Sequence, residues 1–528
     1  MTQVLMVAAE NDALPGGKVG GIGDVVRDVA PALAEHDIKV SVLTPAYGVF
    51  TDLPGAERLG AVRPWFAGKA ERVDLFEVPG RVRYEGVRHL VLENPQFNPC
   101  GDGRIYCNDP PGRPYATDAT KFALFCAAVA EMLRKGVLGA VDVLHLHDWH
   151  AALVATLIEH DVAFQSMREL RCVYSVHNLA LQGIRPFSGD VSSFTSWFPD
   201  LRLAYRDLVD PRWPDCVNLM AVGIRLADAV HVVSPSYAED VQLPSAAASA
   251  GFHGGEGLES DLVTARKQGR LFGVLNGCEY PQTDGGANSS SWKVLRALMA
   301  KEILRWAGQE TTLSSAHFIA SKRVERLTPK RPGILVTSVS RITDQKIRLL
   351  REPASGGRPT LELLLERLGE KGFFVFLGSG DPALEQFLIE TAARYEQFMF
   401  LRGYSDDLAR AIYATGDLFL MPSSFEPCGI GQMLAMREGQ PCLVHHVGGL
   451  RDTIEDGKTG FAFTGDGLRE QADALVARFE SVLAMHEGEP ERYAAIRAAA
   501  RAERFEWSTS VIRYLRELYG LDYTGASQ

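Results

Sequence analysis

Strand-like apolar runs alternate with helix-period segments along most of this chain, and the alternation runs through twice. In the first half, strands are expected over 4–9, 39–44, 141–146, 171–176 and 229–233, with helices over 25–33, 119–135 and 150–160. The second half restarts with strands over 333–339, 373–377, 417–421 and 441–444, and helices over 360–368 and 383–393. Such a rhythm predicts parallel sheets with helices on both faces. At 528 residues the chain exceeds one ordinary core, so two or three domains are expected. The halves meet near Leu275-Asn276-Gly277-Cys278, followed by a polar stretch over 282–291. The fold class is therefore α/β, with two doubly wound domains and a ligand cleft at the carboxyl ends of both sheets.

The first strand-to-helix turn is the glycine-rich Gly16-Gly17-Lys18-Val19-Gly20-Gly21-Ile22-Gly23-Asp24. A turn of this kind leaves backbone N–H groups open to an anion, and the helix dipole adds roughly half a positive charge there. Lys18 supplies a mobile full charge beside it. Two familiar phosphate fingerprints fail nearby. The G-x-G-x-x-G pattern lacks its third glycine after Gly23, and Asp452 stands where a P-loop ending at Gly457-Lys458-Thr459 needs its first. Nicotinamide oxidoreductases and P-loop ATPases thus lose their main support.

A net charge of −11 and a pI near 5.7 argue against nucleic acid or an anionic membrane as the main partner. The eight cysteines form no C-x-x-C pair and read as reduced thiols of a cytoplasmic protein. The amino terminus lacks a basic segment, with Glu10 and Asp12 close by, and reads as a strand rather than a signal peptide. No apolar run reaches the roughly 18 residues of a membrane span. Two stretches resist the rhythm: 244–257, read as a mobile loop, and 310–331, read as an insertion or a short helix.

Polar clusters follow several strands, where a doubly wound sheet places its ligands. His145-Leu146-His147-Asp148-Trp149-His150 and His177-Asn178 end two strands of the first half. The three histidines raise a metal site as an alternative to hydrogen-bonded strand ends, but no further ligand cluster accompanies them. In the second half, Arg341 and Lys346 lie five residues apart after a strand. Another strand runs into Glu426-Pro427-Cys428-Gly429-Ile430-Gly431, a second anion cradle with a carboxylate at its lip. A carboxylate beside a phosphate cradle suits a sugar hydroxyl.

These segments, in order, resemble the bacterial glycogen and plant starch synthases, glycosyltransferase family 5 with the GT-B fold. Lys18 to Val25 resembles K-x-G-G-L-G-D-V; the two histidine segments resemble H-x-H-D-W-H and T-x-H-N-L-x-Y-Q-G. Leu275-Asn276-Gly277, Ser340-Arg341-Ile342-Thr343-Asp344-Gln345-Lys346, Phe425-Glu426-Pro427-Cys428-Gly429 and Gly448-Gly449-Leu450-Arg451-Asp452-Thr453 follow in the family's order. The resemblance implies transfer of glucose from ADP-glucose to the non-reducing end of an α-1,4-glucan, with retention. It implies that Lys18, Gly20, Gly21, Asn276, Tyr404, Cys428, Gly429 and Ile430 bind the donor. It also implies that Arg341 and Lys346 meet the departing diphosphate, that Glu426 and the His177 carbonyl support the glucosyl ring, and that Asp148 holds sugar hydroxyls. No metal or other cofactor is implied, because these cations already face the diphosphate. The implied domains are 1–277 on the acceptor side, 278–504 for the nucleotide sugar, and a helix over 505–528 returning to the first domain.

The chain departs from the family pattern at Leu181, Glu279, Ile347 and Gly431, and Arg348 to Pro359 is longer than usual. Other readings therefore stay open: a UDP-glucose enzyme, a different acceptor, or a catalytically weak glucan-binding paralogue. Oligomeric state is equally open.

Overall fold

The computed structural model describes residues 1–201, 205–246, 251–280 and 291–522. Most of the polar stretch over 282–291 lies outside the described residues, as do four residues of the loop over 244–257. The chain divides into two compact units, each with its own parallel sheet. The first comprises Met1–Ser245, Gly254–Glu279 and Glu506–Gln528; the second comprises Ala246–His253 and Tyr280–Phe505.

The first unit is built on a nine-stranded sheet. Its order is Leu271–Gly273, Ala229–Val232, Arg171–Val176, Val143–His147, Gln3–Val7, Lys39–Pro45, Val87–Glu93, Val73–Val78 and Glu57–Val62. The first seven run parallel, and the last two add antiparallel at one edge. That edge adds an antiparallel pair to the parallel sheet expected from the sequence. Its outer strand is mostly exposed, so it carries no apolar run to announce it. The expected helix over 150–160 is also corrected: it breaks into Asp148–Ala151 and Leu153–His160.

In the second unit, six parallel strands lie in the order Phe398–Arg402, Gly372–Gly378, Ile334–Val339, Leu418–Met421, Cys442–His445 and Phe461–Phe463. Gly372–Gly378 is buried at every position, as expected of an inner strand covered by helices on both faces. Several of its helices begin at side-chain caps. The Asp381 carboxylate accepts from the N–H groups of Ala383 and Leu384 ahead of Pro382–Arg394, and the Ser405 hydroxyl accepts from Leu408 N–H. The stretch over 310–331 contains a helix, Ser315–Arg326, capped by Ser314.

Near the carboxyl terminus, helix Trp507–Arg513 continues into a π-helical turn, Tyr514–Leu518. Trp507, Val511, Tyr514, Leu515 and Leu518 enter one apolar cluster with Val25, Val26 and Val29 of helix Gly21–Ala34. This tail thereby packs behind the glycine-rich turn of the first unit. Leu515 is fully buried, so Leu515→Ala should destabilise the fold by about 2–5 kcal/mol. Urea unfolding checks this, and a change below about 0.5 kcal/mol would show that the tail contributes little. Among the described residues, no helix is long and apolar enough to cross a membrane.

Candidate active site

The two units carry separate clusters of the expected site residues. In the first, Gln3–Val7 delivers the chain to Glu10, and the glycine-rich turn follows. The Glu10 carboxylate accepts from the N–H groups of Val19 (2.8 Å) and Gly20 (2.6 Å). Its other oxygen accepts from the Tyr106 hydroxyl at 2.8 Å. This corrects the expectation that the turn stands wholly open, because an internal carboxylate already fills part of the cradle. The Gly20 N–H is therefore taken, while Gly21 and Ile22 begin the helix with N–H groups that no earlier turn can satisfy. Lys18 Nζ donates to Asp24 at 2.6 Å, and its side chain keeps 31% exposure. Arg27 in turn binds Asp12, Asp24 and Asp28, so Lys18 has an anchored partner.

The neighbouring strand end holds Asp148, His147, His150 and His177, all buried. Asp148 adopts a left-handed backbone with φ of 52° and accepts from the His177 N–H at 2.7 Å. Burial, with the Glu10 charge adding to it, pushes its carboxyl up to about 8. Unfolded, that carboxyl would ionise near 3.8. The folded state thus binds the extra proton between these values, and stability falls as pH rises through the window. Asn tolerates the left-handed backbone and mimics the protonated acid. The difference in melting temperature between Asp148→Asn and the parent should therefore move in the variant's favour from pH 4 to about 8, then level off. A pH-independent difference would contradict this assignment.

His145, His147 and His177 make ring hydrogen bonds at the strand ends, whereas His150 lies in helix Asp148–Ala151, packed on Phe122 and Trp149, with its Nδ1 unpartnered among the described residues. His231 Nε2 faces the Val274 carbonyl at 3.2 Å, and a carbonyl only accepts, so Nε2 carries the proton. Burial lowers His231 to about 4, leaving it neutral, so Nδ1 accepts from the Ser175 hydroxyl at 2.7 Å. Ser175 then accepts from His145 Nε2 (2.7 Å), and His145 Nδ1 accepts from Tyr519 (3.0 Å). One carbonyl fixes the whole chain of tautomers, and both nitrogens of His145 are engaged. His147 Nδ1 meets His177 Nε2 at 2.9 Å, with the rings stacked. Asn276, after strand Leu271–Gly273, is buried, with no partner for its Oδ1 among the described residues.

In the second unit, Ile334–Val339 ends at Ser340 and Arg341, and helix Asp344–Arg351 carries Lys346 in its first turn. The adjacent strand Leu418–Met421 leads to Ser423 and Glu426. Parallel pairing of these strands brings the two turns together. Ser424 N–H donates to the Gln345 carbonyl (2.8 Å), and Gln345 Nε2 donates to the Phe425 carbonyl (3.0 Å). Lys346 and Glu426 form an ion pair with side chains only 13% and 7% exposed, and Ser423 donates to the same carboxylate oxygen at 3.1 Å. Arg341 is exposed, with no side-chain partner among the described residues.

The Glu426 turn is clasped from behind by two glycines. A Cβ at Gly448 would sit 2.0 Å from the Glu426 carbonyl oxygen, and one at Gly449 would sit 2.4 Å from the Cys428 Cα. Gly449 N–H donates to that same carbonyl at 2.9 Å. Cys428 is buried, Gly429 has φ of 78°, and Ile430 caps helix Gly431–Arg437. Gln432 Nε2 braces the loop through the carbonyls of Cys428 (3.1 Å) and Gly429 (3.0 Å). Tyr404 is 50% exposed and follows Gly403, where an added Cβ would lie 2.6 Å from the Trp306 ring. Among the departures from pattern, Ile347 is fully buried in the core, so its methyl groups serve packing. Leu181 is exposed, and Gly431 has room for a side chain, its nearest neighbour being Tyr413 at 3.5 Å.

Residues 3–264 match the starch synthase catalytic domain, and residues 360–481 match group 1 glycosyl transferases. Glycogen synthase of Streptococcus gordonii is 32% identical over 540 residues, covering 97% of this chain and 98% of that relative. The chain belongs to the glycogen and starch synthase family. A second relative in that family, glycogen synthase of Streptococcus equi subsp. equi, is 31% identical and covers 98% of this chain and 99% of its own. The catalytic domain of starch synthase IV from Arabidopsis thaliana, bound to ADP and acarbose, superposes with a TM-score of 0.72 at 26% identity, covering 98% of both chains. Sucrose-phosphate synthase from Thermosynechococcus elongatus shares the fold, with a TM-score of 0.55 at 16% identity. The two Rossmann-like units are those of the GT-B class, and the family's members are retaining glycosyltransferases.

Sequence reasoning missed Glu10 and Tyr106. Glu10 stands before the turn without a spacing rule to mark it. Tyr106 lies 96 residues away in an irregular segment, so nothing local announces their contact.

Proposed function

We propose that this chain transfers glucose from ADP-glucose to the 4-hydroxyl at the non-reducing end of an α-1,4-glucan, with retention at the anomeric carbon. The observation that carries this reading is the paired Lys346 and Glu426, held at the ends of two adjacent parallel strands with Arg341 nearby in sequence. Breaking the glucosyl–phosphate bond places negative charge on a diphosphate and positive charge on a sugar ring. A cation and a carboxylate set side by side answer those two needs. In this reading Lys18, Arg341, Lys346 and the N–H groups of Gly429 and Ile430 meet the diphosphate. One well-placed donor of this kind contributes about 3–4 kcal/mol to the transition state.

Glu426 and the His177 carbonyl then support the glucosyl ring, and Asp148 holds sugar hydroxyls. Tyr404 packs on the base, with Asn276, Gly21 and Cys428 lining the donor. The departing phosphate oxygen takes the acceptor's proton on the same face, which preserves configuration without a covalent sugar–enzyme bond. The names of the relatives and the ADP bound to the plant homologue support the donor assignment.

The test is radiolabel transfer to glycogen from ADP-glucose and, separately, UDP-glucose. Transfer from ADP-glucose at a kcat/KM at least tenfold above that for UDP-glucose supports the reading. A reversed preference assigns the UDP donor. Glycogen binding without transfer from either donor would identify a non-catalytic paralogue.

A further inference from the structure

All eight cysteines are free thiols, but two of them face each other. Cys100 Sγ lies 3.2 Å from Cys107 Sγ, across a loop on the first unit. The contact is built from both sides. At one end, Asn98 closes the turn, its carbonyl accepting from Gly101 N–H and its side-chain oxygen from Gly103 N–H, each at 3.1 Å. At the other end, Cys107 N–H donates to the Asp118 carboxylate at 3.1 and 3.2 Å. Asp118 is itself locked by Lys121 at 2.6 Å, in an ion pair with both side chains 1% exposed. Lys121 also donates to the Ile105 carbonyl. The two sulfurs therefore meet because the Asn98 turn holds one end of the loop and the buried Asp118–Lys121 pair holds the other.

We propose that Cys100 and Cys107 form an oxidisable dithiol site that a hydroperoxide closes to an intramolecular disulfide. Cys100 is exposed and reacts first. Its thiolate attacks one peroxide oxygen; an S–O bond forms, the O–O bond breaks, and the leaving hydroxide takes the thiol's proton to become water. Cys107 then attacks the sulfenic sulfur. The S–S bond forms, the S–O bond breaks, and the departing hydroxide takes the Cys107 proton as a second water. Two thiols are oxidised and one hydrogen peroxide is reduced. Burial and the Cys100 contact push the Cys107 thiol up to about 12, consistent with a resolving partner that is not itself the first target.

Disulfide formation draws the sulfurs from 3.2 Å to about 2.05 Å. The residue beside Cys107 is Tyr106, whose hydroxyl holds Glu10 against the glycine-rich turn. The oxidation state of the loop is thus two residues from the anion cradle.

The test uses the full chain treated with hydrogen peroxide, followed by thiol titration under denaturing conditions and peptide mapping. The expected result is a fall from eight titratable thiols to six, with Cys100 and Cys107 joined in one cross-linked peptide and restored by dithiothreitol. Cys107→Ser should leave Cys100 as a sulfenic acid that dimedone traps. Eight surviving thiols, sulfinic acid at Cys100 without a cross-link, or cross-links only between chains would each overturn the proposal.

Discussion

Lys346→Ala should lower kcat for glucosyl transfer by about 10²–10³-fold, the scale measured when one preorganised transition-state donor is removed. Its ammonium is shielded from water, which strengthens its action on a departing diphosphate beyond what a surface lysine could supply. KM for the donor should rise as well, because the same charge meets the diphosphate in the ground state. The variant also leaves Glu426 buried with, among the described residues, only the Ser423 hydroxyl for company. Breaking one side of a buried ion pair typically costs about 3–5 kcal/mol, so the melting midpoint should fall too. Kinetics therefore belong well below that midpoint. Unchanged kcat in folded protein would remove Lys346 from the chemistry.

Glu426→Gln should behave differently, and the contrast separates catalysis from packing. The amide keeps the shape and the Ser423 contact but loses the charge. With no carboxylate competing for it, Lys346 is fully available to the diphosphate, so KM for ADP-glucose should hold steady or drop. Turnover should fall about 10²-fold, because the positive charge developing on the sugar loses its nearest anion. A rise in KM with unchanged kcat would instead mark Glu426 as a ground-state contact. Unchanged kcat and KM in both folded variants, with only the melting midpoint lowered, would assign the pair to structure alone.

The inner strands were legible in the sequence because parallel strands covered on both faces are continuous apolar runs; Gly372–Gly378 is of this kind. The antiparallel edge was not. Glu57–Val62 is exposed at most positions, and its register comes from a neighbouring strand rather than its own composition. The same division applies to the site. Lys346 and Glu426 stand in local motifs at strand ends, so their residue types and positions could be read directly. Their mutual ion pair joins residues 80 apart and needed the strand pairing to bring it about. Contacts such as Tyr106 with Glu10 or Tyr519 with His145 bridge 96 and 374 residues and leave no periodic trace. Glu10 in particular changes the chemistry of the first turn. It occupies N–H groups that a glycine pattern alone would assign to phosphate.

The linkage of the product tests the central claim most directly. Glycogen labelled from ADP-[¹⁴C]glucose by this enzyme can be digested with β-amylase, which releases maltose from the non-reducing ends of α-1,4-glucans. Release of the label as maltose is the expected result, since it requires both the 4-hydroxyl acceptor and retained configuration. Label that enters glycogen but resists β-amylase would contradict the account, as would no incorporation at all.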